Sequence, residues 1–300
     1  MTAETPMTAE TPIAAAAAAA VGVRSGAGLP PLPLPPRCRV ITVANQKGGV
    51  GKTTTAVNVA AALALHGASV LLVDLDPQGN ASTALGVPHH QGVPGSYDVL
   101  VNGVSLAAVA VPASEVPGLR CVPASIDLAG AEIELVPEQR REYRLAEAVR
   151  TYLVGPGADL HYVVIDCPPS LGLLTVNALV ATAEVLIPIQ CEYYALEGLG
   201  QLLNSIELVR EHLNPRLSVS TILLTMYDAR TRLADQVADE VRGHFGDRVL
   251  TSVIPRSVRV SEAPGYGQTV LTYDPGSRGA LAYLEAAREF AIRGATGVAR

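Results

Sequence analysis

The segment Asn45–Thr55, NQKGGVGKTTT, decides the fold of this 300-residue chain. Read from Gln46 to Thr53, it fits the phosphate-binding pattern G-x-x-x-x-G-K-[ST] with one departure, because Gln46 stands at the first glycine position. Glycines in such a turn let backbone N–H groups point inward around a phosphate, and the helix that follows adds its positive N-terminal dipole. We therefore predict a P-loop that leads into a helix beginning near Lys52.

The loop also holds both lysines of the chain, Lys47 and Lys52, whereas every other strongly basic residue is an arginine. A compact ammonium fits a tight phosphate cradle better than the wider guanidinium does. We expect Lys52 to bridge the β- and γ-phosphates of a nucleotide and the Thr53 hydroxyl to ligate Mg²⁺. The predicted nucleotide-binding residues of the loop are Lys47, Gly48, Gly49, Val50, Gly51, Lys52, Thr53 and Thr54.

On both sides of the loop, short apolar runs alternate with longer helical runs. The predicted strands are residues 39–44, 69–73, 119–122, 162–165, 185–189, 219–224 and 249–254. The predicted helices are residues 53–66, 140–153, 173–183, 195–213, 233–245 and 277–292. This alternation predicts an α/β fold, namely a single P-loop NTPase domain whose doubly wound, mostly parallel sheet is flanked by helices. The interval 87–138, rich in proline and glycine, gives no clear pattern apart from the run at 119–122.

The domain is predicted to span residues 38–293, between two tails. Residues 1–37 contain the repeat MTAETP twice, then an alanine-rich run and a proline-rich stretch, so we predict a disordered tail. The alanine-rich run is shorter than the about 20 residues that a membrane-spanning helix needs. Residues 294–300, with Gly294 and Gly297, are predicted to be a short C-terminal tail.

Composition limits the classes of function. The formal charge of −6 argues against a wholly basic nucleic-acid-binding protein, although a local arginine patch remains compatible with it. The four cysteines are widely spaced and form no C-x-x-C pair, so neither a zinc site nor a redox pair is expected. Free, buried thiols in a reducing cytoplasm are the expected state.

Two acidic segments each follow a predicted strand. Residues 74–80, DLDPQGN, follow the run at 69–73, and residues 166–169, DCPP, follow the run at 162–165. Since parallel strands end at one edge of a sheet, we expect both segments to lie beside the P-loop. There Asp76 and Asp166 could hold Mg²⁺, and an aspartate could orient the attacking water.

Taken together, these motifs resemble the ParA/Soj partition ATPases of the MinD/ParA group. The loop KGGVGKTT, with a second lysine at its start, is their deviant Walker A signature. Further similar stretches are residues 44–55, 72–81, 165–174, 224–230, 254–264 and 273–279, so the resemblance covers about residues 38–293. It implies a weak, Mg²⁺-dependent ATP hydrolase that dimerises with ATP and binds double-stranded DNA without sequence preference. It also implies a ParB-type centromere-binding partner that stimulates hydrolysis, and a cytoplasmic, nucleoid-associated location.

The resemblance further implies roles for individual residues around the phosphates. Lys47 would cross a dimer interface to the partner's ATP, and Gly48 would lie close to that interface, where a larger side chain would block dimerisation. Asp76 would position the hydrolytic water, so that Lys47, Lys52 and Asp76 form the catalytic set. Asp166 would be the Walker B acid, and the metal set would be Thr53, Asp76 and Asp166.

The resemblance also implies the remaining contacts of the site and its surface. Met226 and Pro255 would lie near the adenine. Arg230 and Arg259 would be the arginines that bind DNA, presented together only by the ATP-bound dimer. Each added phosphate contact raises affinity and steepens its dependence on salt, so a dimer would bind where a monomer binds poorly.

Three other functions share parts of this pattern. A MinD-like membrane-associated positioning ATPase would need an apolar C-terminal helix, but residues 287–300 offer few bulky apolar side chains beyond Phe290 and Ile292. A metal-cluster carrier would need paired cysteines. A scaffold that binds ATP without hydrolysis is disfavoured by Asp76.

Overall fold

The P-loop follows a central strand of one sheet. In the computed structural model, which describes residues 22–23, 29–193 and 197–295, eight strands are hydrogen-bonded side by side. They are β1 (Arg39–Val43), β2 (Val70–Asp74), β3 (Val111–Pro112), β4 (Leu119–Val122), β5 (Tyr162–Asp166), β6 (Glu184–Gln190), β7 (Ser218–Tyr227) and β8 (Val249–Pro255). Their order is β3-β4-β2-β5-β1-β6-β7-β8, with every neighbouring pair parallel except β3 and β4. The predicted doubly wound, mostly parallel sheet is therefore confirmed.

Helices cover both faces of this sheet. They are α1 (Lys52–Leu65), α2 (Asn80–Ala84), α3 (Ser96–Leu100), α4 (Leu106–Val109), α5 (Leu128–Glu134), α6 (Arg144–Leu153), α7 (Leu173–Ala181), α8 (Glu197–His212), α9 (Arg232–Phe245), α10 (Val258–Glu262), α11 (Val270–Tyr273) and α12 (Arg278–Ala295). Helices α1 and α12 pack on one face, and α3 to α9 supply the core on the other. Strands buried on both faces need apolar residues throughout, and β2 and β5 are buried along their whole length.

The strand register brings the predicted site together. Val43, the last residue of β1, pairs with Asp166 at the end of β5. On the other side of β5, Asp74 at the end of β2 also pairs with Asp166. The P-loop and both acidic segments therefore lie at the carboxyl edge of the sheet, where ligands bind in open α/β sheets.

The interval 87–138 contains short elements that the sequence pattern does not reveal. Three helices of four to seven residues, α3, α4 and α5, and the two-residue strand β3 lie here. Elements this short complete barely two helical turns, so they carry no readable apolar period. The predicted strand at 119–122 is confirmed as β4.

Parts of both predicted tails, residues 29–37 and 294–295, are among the described residues. Residues 29–37 form an extended segment along α1: Leu29 is buried and its N–H donates to the Leu65 carbonyl at 3.1 Å. At the other end, α12 continues through Gly294 to Ala295. Most of residues 1–28 and all of residues 296–300 lie outside the described residues.

Helix α12 bears on the membrane-associated alternative. Its apolar residues Ala287, Phe290 and Ala291 are buried against α1 and β8, so the face that could enter a lipid layer already packs in the core. None of the described helices combines the length and the apolar character that crossing a bilayer requires. The four cysteines are free thiols, with Cys121, Cys167 and Cys191 buried and Cys38 half-buried.

Candidate active site

The P-loop owes its shape to two glycines with left-handed backbone. Gly49 has φ of 75° and Gly51 has φ of 87°, values that other residues adopt only with strain. Gly51 caps α1, whose first residue is Lys52. The free N–H groups of this helix start and the helix dipole therefore point into the loop, as the predicted anion site requires.

Two buried polar side chains hold the loop against the neighbouring strands. The Asn45 amide donates to the Pro188 carbonyl at 2.8 Å and accepts from the Lys47 N–H at 3.0 Å. The Thr225 hydroxyl of β7 donates to the Val50 carbonyl at 2.8 Å. Sequence reasoning missed both residues, although a polar residue at the end of an apolar strand is the signal that could have found them.

Lys52 lies inside the loop with its side chain 7% exposed. Its ammonium donates a hydrogen bond to the Lys47 carbonyl at 3.0 Å. Burial lowers the pKa of Lys52, and the nearby carboxyls of Asp166 and Asp76 oppose that shift. The predicted catalytic lysine and both predicted acids therefore share one electrostatic environment.

Asp166 is a buried acid of the site whose carboxyl group lacks hydrogen-bond donors. It is fully buried, and neither carboxyl oxygen has a hydrogen-bond partner among the described residues. Burial raises the pKa of Asp166 well above its usual value, and Asp74 raises it further; the Thr53 hydroxyl lies near enough to oppose the shift but does not complete a hydrogen bond. A buried carboxyl without a donor is unfavourable unless a cation compensates it, so Asp166 and Thr53 fit a magnesium ion.

Asp74 organises the loop that carries Asp76. Its carboxylate accepts from the Asp76 N–H at 3.1 Å, from the Ser82 N–H at 2.9 Å and from the Ser82 hydroxyl at 2.7 Å. That hydroxyl in turn accepts from the Ala124 N–H at 3.2 Å. Burial raises the pKa of Asp74 to about 6, against the opposing effect of these hydrogen bonds. Asp74 and Ser82 therefore fix the backbone from which the Asp76 side chain, itself 7% exposed, projects.

A cavity of about 480 Å³ opens beside these residues. Its lining includes eight of the predicted site residues, namely Gly48, Gly49, Gly51, Lys52, Thr53, Thr54, Asp76 and Met226. Met226 has φ of 52°, an unusual value for a residue with a side chain. Among the described residues, Lys47, Val50, Asp166 and Pro255 are not part of this lining.

Pro255 is the last residue of the edge strand β8, where it pairs with Tyr227, and it is not part of the cavity lining. The segment after β8 lines that end of the cavity instead, through Val260, Pro264, Gln268 and Val270. Asn58 links this segment to the loop, since its amide donates to the Thr54 carbonyl at 2.8 Å and accepts from the Val270 N–H at 3.0 Å. Sequence reasoning singled out residues 254–264 but assigned no role in the site to Asn58, Gln268 or Val270.

Arg230 and Arg259 follow neighbouring strands, β7 and β8, at the carboxyl edge. Arg230 forms a two-point ion pair with Asp228, at 2.9 and 2.8 Å, and its hydrogen bonds lower the pKa of Asp228 to about 2. Arg259 contacts Glu262 at 3.0 Å and Asp274 at 3.4 Å. Both side chains are more than half exposed, so water screens these ion pairs and the arginines can exchange partners.

Among the described residues, no group of three or more histidine, cysteine, aspartate or glutamate side chains could hold a metal ion by itself.

Comparison with known proteins places the chain in a family. The family model described as an AAA domain matches residues 38–219. The chain is 53% identical over 256 residues to the sporulation initiation inhibitor protein Soj of Bacillus subtilis, covering 85% of this chain and 99% of that protein. It is 53% identical over 255 residues to the chromosome partitioning protein ParA of Caulobacter vibrioides, covering 85% and 94%.

A solved structure is also similar to this chain in fold and in sequence. It is titled cobyrinic acid a,c-diamide synthase from Mycobacterium smegmatis, contains an ATP analogue and magnesium, and matches with a TM-score of 0.71 and 42% identity, covering 83% of this chain and 93% of that one. The P-loop geometry, the acids at the carboxyl edge and the identity over most of the domain lead to one assignment. The chain belongs to the Soj/ParA family of chromosome-partitioning P-loop proteins.

Proposed function

We propose that this chain is a DNA-segregation ATPase whose cavity binds ATP with Mg²⁺. The observation that carries the proposal is the convergence of Lys52, Thr53, Asp76 and the uncompensated Asp166 at one edge of the sheet. A related structure that contains an ATP analogue and magnesium supports the choice of ligands.

Each residue of the site has a distinct task in this proposal. The backbone N–H groups from Gly48 to Thr53 cradle the phosphates, and the Lys52 ammonium exchanges the Lys47 carbonyl for phosphate oxygens. The Thr53 hydroxyl and the Asp166 carboxylate hold Mg²⁺, which neutralises charge on the phosphates. Asp76 orients the attacking water, and its position is fixed by Asp74. Lys47 completes the site from the opposite protomer.

The proposed output is a switch between two states. ATP closes a homodimer, which presents Arg230 and Arg259 from both protomers to double-stranded DNA. Phosphates then replace Asp228, Glu262 and Asp274 as partners of these arginines. A ParB-type partner stimulates hydrolysis and release, so the protein would be cytoplasmic and associated with the nucleoid.

The test is retention of random-sequence duplex DNA by the full chain with ATP and with ADP, at one fixed salt concentration. We expect retention with ATP alone, and its loss in Lys52→Ala and in the double variant Arg230→Ala/Arg259→Ala. Because each phosphate contact contributes about one unit to the slope of log affinity against log salt, the double variant should also flatten that slope.

The matched control is the double variant Arg210→Ala/Arg288→Ala, which replaces two exposed arginines that are not proposed to contact DNA. This variant loses the same net charge, so it should retain DNA nearly as the parent protein does. Equal loss in both double variants would show that only overall charge matters. Absence of retention with either nucleotide would reject DNA as the matrix.

A further inference from the structure

The amino edge of the sheet, opposite the P-loop, carries a groove of about 810 Å³. Its floor is formed by the start of β1 and by residues 180–184, which lead into β6, and its walls are α6 and residues 35–37. We call it the amino-edge groove. Nothing in the proposed nucleotide chemistry uses it, because the strands separate it from the phosphate loop.

Charge in the amino-edge groove is opposite in sign to that of the whole chain, which is −6. Five arginines line it: Arg37, Arg39, Arg140, Arg150 and Arg216. Its two acids are already engaged, since Glu184 pairs with Arg39 at 2.7 Å and Glu147 pairs with Arg140 at 2.8 Å. The other three guanidinium groups have no ion pair or side-chain hydrogen bond among the described residues.

Apolar side chains lie between these charges. Val40, Val149 and Val180 form the recessed part, and Leu153 and Val154 line the α6 side. Val154 is 80% exposed, so its side chain is available for contact beside the charges of the groove. The groove therefore combines an apolar interior with three unpaired positive charges.

We propose that the amino-edge groove docks an acidic, partly apolar segment of a partner protein. Carboxylates of that segment would pair with Arg37, Arg150 and Arg216, and its apolar side chains would cover Val154 and the recessed valines. A peptide chain can enter such a recess, as an amphipathic helix enters an apolar groove. A nucleic-acid backbone offers no apolar side chains to Leu153 and Val154, so the mixed lining of the groove favours a peptide.

The position of the groove gives the docking a definite consequence. Since it lies at the sheet edge opposite the P-loop, a bound segment would leave the carboxyl edge free. The partner could therefore hold the protein while the P-loop keeps its nucleotide, and docking should not require ATP. This separates the proposal from the function proposed above, whose DNA contacts are nucleotide-dependent.

The test uses the full chain and a fluorescein-labelled helical peptide of about 16 residues, long enough to form a helix, with leucine on one face and glutamate elsewhere. Fluorescence anisotropy should show saturable binding that is equal with ATP, with ADP and without nucleotide. The triple variant Arg37→Glu/Arg150→Glu/Arg216→Glu should weaken binding by about tenfold or more. The matched control, Arg210→Glu/Arg242→Glu/Arg288→Glu, should weaken it far less. ATP-dependent DNA retention should be the same in both triple variants.

A second variant separates docking from simple attraction between opposite charges. Val154→Ser removes apolar contact without changing charge, so it should weaken the affinity for the peptide severalfold. Circular dichroism melting checks that every variant is folded. The proposal would be overturned if Val154→Ser bound the peptide as tightly as the parent protein does. It would also be overturned if both triple variants lost binding equally.

Other occupants of the groove give different results. Displacement of the probe by a synthetic peptide of residues 1–21 would identify this chain's own N-terminal segment as the occupant. A sedimentation coefficient that falls only in the groove variant would identify a second copy of the chain. Selective loss of DNA retention in the groove variant would assign the groove to DNA. Any of these outcomes would overturn the partner proposal.

Discussion

At the scale of single residues, Ser82 is the side chain on which the Asp76 loop depends. We predict that Ser82→Ala lowers the free energy of unfolding by about 1–3 kcal/mol, because it removes a donor from the buried Asp74 and an acceptor from the Ala124 N–H. ATP turnover should fall severalfold, since Asp74 also fixes the Asp76 backbone. Urea unfolding and steady-state ATPase assays measure the two effects.

Ser205→Ala is the matched control for that substitution. The Ser205 hydroxyl donates only to the Gln201 carbonyl on the exposed side of α8, so its loss should change stability by less than about 0.5 kcal/mol. If Ser82→Ala left both stability and turnover at the parent values, Asp74 would not organise the loop as described.

At the residue scale, spacing and strand ends predict which side chains lie together, whereas the tasks of those residues stay predictions. Lys52, Thr53 and Asp76 were placed from spacing and strand ends, and the structure gathers them at one cavity. Asn45, Asn58 and Thr225 were missed because their tasks depend on partners that are distant in the chain, such as Pro188 and Val270. Pro255 lies at the end of β8 and outside the cavity lining, and its place near the adenine stays a prediction.

At the scale of elements, a buried ion pair joins β1, β6 and α12. Arg39 pairs with Glu184, its guanidinium lies 4.0 Å from the centre of the Phe290 ring, and it donates to the Phe290 carbonyl at 3.1 Å. We predict that Glu184→Ala lowers the free energy of unfolding by about 3–5 kcal/mol, because it leaves the Arg39 charge buried without its acid. Chemical denaturation measures the change.

Glu207→Ala provides the comparison for an exposed ion pair. Glu207 and Arg210 are about half exposed, so removing the acid should cost at most about 1 kcal/mol. Equal costs for Glu184→Ala and Glu207→Ala would mean that water reaches the Arg39 pair and that it does not join the three elements.

Glu289 of α12 gives a pH dependence to the contact between that helix and β8. Burial acts to raise its pKa, but the hydrogen bonds from the Ser252 and Thr251 N–H groups and the Ser252 hydroxyl, with the charge of Arg293, together outweigh burial, so the pKa lies below the usual 4.5. A depressed folded-state pKa stabilises the protein fully above the unfolded value, and this stabilisation is lost as pH falls through the folded value. Glu289→Gln should therefore be less stable than the parent at neutral pH, and the difference should vanish in acid.

Unfolding curves measured across that pH range test the assignment. Glu285→Gln, an exposed change in the same helix without a hydrogen bond or ion pair among the described residues, should match the parent throughout. A stability difference for Glu289→Gln that stayed constant down to acid pH would contradict the role of its charge.

Element-scale prediction from the sequence depended on length. Strands β1, β2 and β5 and helices α1 and α12 are long or uniformly apolar, and their patterns place them within a few residues. The helices at 96–134 are short and owe their existence to packing against β2, β4 and α6. Residues 29–37 were assigned to a disordered tail because proline-rich composition does not show that Leu29 finds a buried position.

At the scale of the whole molecule, Gly48 tests the proposed dimer. A Cβ at Gly48 would meet no heavy atom within 4 Å inside the protomer, so Gly48→Val should fold and bind ATP normally. If Gly48 faces the partner protomer, the added side chain should abolish the ATP-dependent dimer and, with it, DNA retention. Light scattering and nucleotide titration measure these properties separately.

Gly243→Val is the control, because it also enters open space, on the outer side of α9. We expect it to dimerise as the parent does. A Gly48→Val protein that still dimerised with ATP would place the interface elsewhere, and one that failed to bind ATP would mean that the substitution disturbs the loop itself.

The buried, unpartnered carboxyl of Asp166 has a consequence for protein engineering. Without a cation, this acid opposes folding, so its replacement by a neutral residue of similar size should make the ligand-free protein more heat-resistant and inactive. A directed-evolution library screened for thermal tolerance alone would therefore enrich changes at Asp166. Selection rounds that include ATP and magnesium would reverse that enrichment, because the bound ligand would then stabilise proteins that keep Asp166.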